Sequence, residues 1–73
     1  MIDENGLRAA LRANVSRLRA QSGLTQEAAA ERLGIARTTL AKLELGLHTP
    51  KSDLLFSLAD LFGVPADALR QVS

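Results

Sequence analysis

Seventy-three residues fit one small domain, and an apolar fraction of 47% is enough for a single core. The absence of cysteine excludes a disulfide framework and any thiolate metal site, zinc fingers included. No apolar run approaches the roughly 18–20 residues that span a bilayer, and the opening six residues are acidic and lack the apolar stretch of a signal peptide, so a cytoplasmic protein is expected.

The apolar residues recur at helical spacing throughout, and no stretch alternates for long, so the expected fold is all-α. Residues 1–6 are expected to form a flexible tail ahead of a domain over residues 7–72. Leu7, Leu11, Val15 and Leu18 mark one face of a first helix that ends near Gly23. Thr25 is placed to N-cap a second helix over residues 26–33, which stops at Gly34. A third helix over residues 37–45 stops at Gly46. Pro50 suits the first turn of a fourth helix, which carries Leu54, Leu55, Leu58, Leu61 and Phe62 and ends at Gly63. Pro65 opens a short fifth helix with Ala68 and Leu69 inside it. The expected architecture is a compact bundle of five short helices.

The net charge of +1 conceals an asymmetry. Residues 5–42 hold Arg8, Arg12, Arg17, Arg19, Arg32, Arg37 and Lys42 against Glu27 and Glu31, a net +5. Residues 43–73 hold Lys51 and Arg70 against Glu44, Asp53, Asp60 and Asp67, a net −2. Such a division suits a polyanion on one side of the molecule, and equally an arginine-rich helix face turned to water.

The stretch from Gln26 to Leu45, QEAAAERLGIARTTLAKLEL, has steric logic at each apolar position. Two helices that cross steeply need a small side chain where they touch, and Ala30 supplies it. The turn between them needs a residue that tolerates positive φ, which is Gly34. Ala29, Leu33 and Ile35 add apolar positions around the turn. Leu40 and Leu43, three apart, hold the third helix to the body and leave its other face free to enter a groove.

With these residues in place the chain resembles the lambda-repressor-like (Cro/XRE-type) helix-turn-helix family. Val15-Ser16-Arg17-Leu18-Arg19 is similar to the end of that family's first helix, and Gly23-Leu24-Thr25-Gln26-Glu27 to its G-L-[ST]-Q-E signature. Leu43-Glu44-Leu45-Gly46 is similar to its [IL]-E-x-G close. Thr49-Pro50 and Leu58-Ala59-Asp60-Leu61-Phe62-Gly63-Val64 resemble its later helices. The resemblance covers roughly residues 11–70.

The resemblance implies a regulator of transcription, a repressor in the first instance, that binds palindromic double-stranded DNA as a homodimer within the nucleoid. It also implies that the third helix is a recognition helix lying in the major groove, with Arg37, Thr38, Ala41 and Lys42 facing the bases. Arg37 is expected to contact a guanine through two hydrogen bonds, Lys42 a guanine or a phosphate, and Ala41 a thymine methyl. As bare surface residues, Arg37 and Lys42 would simply be solvated. Gln26 is expected to bond a phosphate at the start of the second helix, where free N–H groups and the positive dipole end also favour an anion. Thr25 serves as a cap, a phosphate contact or both, and Thr39 is open between a phosphate contact and a surface role. The resemblance pairs Arg19 with Glu44 as a structural brace between the first and third helices.

Three departures from the family pattern stand out. Ala29 replaces a usual leucine, with Phe56 a candidate to fill the space. Ala36 replaces a usual Ser or Thr cap, at a cost of ~1 kcal/mol. Leu45 and Leu47 replace polar residues near the expected two-fold axis. They read either as scattered surface leucines or as a dimer contact that Pro50, Leu54, Phe62, Val64 and Leu69 extend. No catalytic constellation, cofactor site or metal site is expected: His48 is the only histidine, without an evident partner, and no phosphate-cradling glycine loop is present. The competing function is that of an antitoxin or interaction module of the same fold that binds a toxin or other protein. An acidic or apolar outward face on the third helix would favour it, whereas Arg37, Thr38 and Lys42 favour DNA.

Overall fold

In the computed structural model, which describes residues 4–71, five helices follow one another: α1 (Glu4–Gln21), α2 (Gln26–Leu33), α3 (Arg37–Glu44), α4 (Ser52–Phe62) and α5 (Ala66–Arg70). No strand occurs among the described residues, and none of their helices is long and apolar enough to cross a membrane. Residues 1–3 and 72–73, and the side chains of Glu4, Asn5 and Leu7, lie outside the described residues. The first helix begins at Glu4, so it takes in three positions that the sequence assigns to a tail. A glycine within a helix costs only about 1 kcal/mol, so Gly6 is carried by the long helix that follows it.

Each of the first four helices closes in the same way. The amide of the residue after a glycine reaches back to a carbonyl in the last turn: Leu24 to Arg19 at 3.2 Å, Ile35 to Ala30 at 3.0 Å, Leu47 to Lys42 at 2.9 Å and Val64 to Ala59 at 3.0 Å. This six-to-one bond defines a Schellman close and needs a left-handed residue, which Gly34 supplies with φ 70°. The motif also sets an apolar residue just past the glycine against the helix it ends. Leu24, Ile35 and Val64 pack on the core in this way, whereas Leu47 is 69% exposed.

Two further boundaries differ from the sequence expectation. The third helix ends at Glu44, with Leu45 as its cap (φ −90°, ψ −6°). The fourth begins at Ser52 with Lys51 as an extended N-cap, so Pro50 lies before the helix. The fixed φ of proline suits that extended approach as well as a first turn.

The core takes residues from every helix: Leu11 and Val15, Ala29 and Ala30, Leu40 and Leu43, Leu55, Leu58 and Ala59, and Leu69. Burial of a leucine contributes roughly 1.5–3 kcal/mol, and Leu40, Leu58 and Leu69 are each fully buried. The helix α3 packs on α1 and α2, and α4 packs on α5 and α2. One polar residue joins the core. Asn14, 3% exposed, donates from Nδ2 to the carbonyls of Leu69 at 2.8 Å and Gln71 at 2.9 Å, and more weakly to that of Ala68 at 3.3 Å. These are carbonyls that the end of α5 leaves without helical partners, so α1 supplies the C-terminal cap of α5.

Candidate nucleic-acid interface

A bidentate ion pair holds α3 in place. Arg19 Nε and Nη2 donate to the two carboxylate oxygens of Glu44 at 2.7 and 2.9 Å, and Nη1 donates to the Leu24 carbonyl at 2.8 Å. The fork-to-fork geometry fixes both position and orientation. Hydrogen bonding to Glu44, opposed by partial burial and aided by the opposite charge, raises the arginine pKa above its ordinary value. One side chain thereby ties the end of α1, the approach to α2 and the end of α3 together.

With Leu40 and Leu43 buried, the remaining face of α3 is turned outward. Arg37, Thr38 and Lys42 are exposed, and Thr39 and Ala41 are half-buried. Glu44, the only carboxylate on the helix, is 6% exposed and fully engaged by Arg19, so the outward face carries only positive charge. At the start of the helix Ala36 has the extended backbone of an N-cap and no side-chain hydrogen bond to offer.

The helix before it begins differently. Thr25 is extended (φ −73°, ψ 162°) and its Oγ1 accepts from the Ala28 amide at 3.0 Å. The hydroxyl therefore serves as a cap and keeps its own O–H to donate. Gln26, half-buried, is the first residue of α2. Between the two helices lies the Gly34–Ala36 turn, closed by the bond from Ile35 to Ala30.

A short helix, a glycine turn and a second helix held by an arginine–glutamate fork form a helix-turn-helix, and comparison with known proteins agrees. A helix-turn-helix family model matches residues 15–69. The chain belongs to the lambda-repressor-like, Cro/C1-type helix-turn-helix family. That family consists of DNA-binding transcription regulators and is not an enzyme class. The HTH-type transcriptional regulator MJ0272 of Methanocaldococcus jannaschii is 44% identical over 46 residues, which is 63% of this chain and 70% of that protein. An HTH-type transcriptional regulator of Archaeoglobus fulgidus is 32% identical over 59 residues, covering 81% of this chain and 84% of the relative. Among solved structures, a hypothetical transcription factor from Neisseria, NHTF, superposes with a TM-score of 0.84 at 30% identity, over 94% of this chain and 78% of that one.

Within this helix-turn-helix the apolar surface is arranged differently from the sequence expectation. Leu45 and Leu47 are exposed, at 63% and 69%. Pro50, Leu54, Phe62 and Val64 are half-buried, the last three packed against the core. Leu69 is fully buried and is removed from the dimer candidates, because the short α5 turns it inward onto α1 and α4. Phe56 moves the other way. It is 63% exposed, so it does not fill the space beside Ala29, which is itself fully buried. With Val64, Pro65 and Ala66 it lines a shallow groove between α4 and α5.

Sequence reasoning misses Asn14 and places Phe56 in the core rather than on the surface. A polar residue inside the Leu11–Val15–Leu18 stripe was the available signal for Asn14. No signal marked Phe56, which sits in a helix with apolar residues on nearly every side. His48 is exposed, and among the described residues no group of three or more His, Cys, Asp or Glu is placed to hold a metal ion.

Proposed function

We propose that the protein is a repressor that binds a palindromic operator as a homodimer, with α3 in the major groove. The observation that carries the DNA half of this reading is the outward face of α3. It presents Arg37, Thr38 and Lys42, and the one carboxylate that would repel a phosphate is withdrawn into the fork with Arg19. Arg37 reads a guanine, with Thr38, Ala41 and Lys42 beside it on adjacent bases. Gln26 and the first amides of α2 take a phosphate, and Thr39 lies near the same backbone. Thr25 contributes through its cap, which orients those amides. A positively charged face also speaks against a toxin-binding role for this helix.

The homodimer reading is supported by Leu45 and Leu47, two large apolar side chains left in water two residues apart at the end of α3. Two-fold pairing through such a surface sets half-sites about one helical turn apart, roughly 34 Å centre to centre. Occupancy of an operator is enough to block transcription, which is why repression is the form of control proposed.

Selection of bound duplexes from a random pool, followed by sedimentation of the protein on the winning sequence, tests the whole reading. Inverted repeats and two chains per site are expected. Arg37→Ala should weaken binding to the selected site by about 1–3 kcal/mol and relax preference at one base position. Unrepeated sites with one chain bound would overturn the dimer, and an unchanged selection profile for Arg37→Ala would overturn the assignment of the base-reading residue.

A further inference from the structure

The helix-turn-helix segment does not exhaust the positive surface. A groove between α1 and the end of α3 is lined by Arg12, Ala13, Ser16, Arg17, Ala20 and Glu44. Arg12 and Arg17 are both exposed. Among the described residues neither is paired with a carboxylate, since both oxygens of Glu44 are taken by Arg19. Arg17 Nη2 donates to Asn14 Oδ1 at 3.1 Å, which holds its guanidinium along α1. Arg12 is placed by Gly46: a Cβ on that glycine would sit 3.3 Å from Arg12 Cδ. The stem of the arginine thus lies over the turn that ends the recognition helix.

The position of this groove relative to α3 gives it meaning. Arg37, Ala41 and Glu44 are four and then three residues apart, so they form one edge of the helix. That edge starts at the proposed base-reading arginine and ends at Glu44, which is a wall of the groove. On the same edge, Arg19 bonds both Glu44 and the Leu24 carbonyl, one residue from Thr25. The start of α2, the end of α3 and the α1 groove therefore follow one another along a single side of the recognition helix. A DNA strand whose phosphate meets Gln26 would continue along this side.

We propose that Arg12 is a second contact to the DNA backbone, with Arg17 adding positive potential beside it, so that the phosphate footprint extends from α2 onto α1. The proposal rests on the DNA reading above and deepens it. Such a contact carries no base information. It strengthens binding to every duplex and releases one more counterion.

The test is a salt titration of affinity by fluorescence anisotropy, run on the selected duplex and on an unrelated duplex of equal length. Wild type, Arg12→Gln and Arg12→Lys are compared. Arg12→Gln is expected to lose about three- to tenfold in affinity on both duplexes and to lower the slope of log K against log salt by about 0.9, the contribution of one phosphate. Arg12→Lys should keep the wild-type slope. Parallel slopes for wild type and Arg12→Gln would overturn the proposal, as would a loss confined to the selected sequence, which would make the contact one to a base. If the wild type itself binds neither duplex in a salt-dependent way, the DNA reading fails, and that result is distinct from a failure of Arg12 alone.

Discussion

The two ends of α3 are built on opposite terms. At its C-terminus, Glu44 is gripped through two hydrogen bonds by Arg19, and the chain leaves through a Schellman close from Leu47 to Lys42. At its N-terminus, Ala36 offers no cap and the first turn holds no acidic residue. The helix immediately before it starts with the Thr25 cap and with Glu27 in its first turn, both suited to the positive dipole end. The chain thus anchors α3 at its far end and leaves Arg37 and Thr38 on an uncapped turn. Free amides and a bare dipole end in that turn are an asset next to a polyanion and a liability in water.

The contrast can be broken most forcefully at the anchored end. Glu44→Ala leaves a partly buried arginine without its partner, and we expect a loss of about 2–3 kcal/mol. For a domain of this size that corresponds to a fall of roughly 10–20 °C in melting temperature by circular dichroism. The domain as a whole is stabilised by only about 4–11 kcal/mol, so a loss below about 0.5 kcal/mol would mean that the fork is not an anchor. The raised pKa of Arg19 has a simple consequence. The stabilisation on the arginine side is fully present below the unfolded-state value and is lost only as pH rises through the still higher folded one, beyond any working range. Next in size is the capped reference helix, where Thr25→Ala should cost about 1 kcal/mol in the same melt.

The smallest effect, and the most informative, is at the open end. Ala36→Ser restores a hydroxyl at the cap and should add about 0.5–1 kcal/mol. A neutral result there, with Thr25→Ala still costly, would show that the first turn of α3 is held by the body rather than by its own cap.

Much of the fold was legible because helices announce themselves by period and stop at glycines. The limits are equally physical. The period shows that a residue lies on a face, but α4 carries Leu54, Leu55, Phe56, Leu58, Leu61 and Phe62, so apolar residues surround it and the exposed one cannot be picked out. At five residues α5 is too short to show any period, and Leu69 was accordingly read as surface. Arg19 and Glu44 are 25 residues apart, a separation without periodic signal, and only the family resemblance joined them. Asn14 stands out as a polar residue in an apolar stripe, but its partners are not readable, because its acceptors are backbone carbonyls, which leave no trace in side-chain identity. Spacing puts Arg37 and Lys42 on the free face of α3 and only the family resemblance makes them candidates for DNA, whereas the groove containing Arg12 required the packing of α1 against α3.

Asn14 also bears on the order in which the molecule comes together. Its acceptors lie 54 to 57 residues further along the chain. Until α5 docks against α1, the Asn14 amide has no acceptor in the interior. A contact of such sequence separation carries a larger loop-closure cost than the pairings between neighbouring helices, so the docking of α5 on α1 is the step that closes the core.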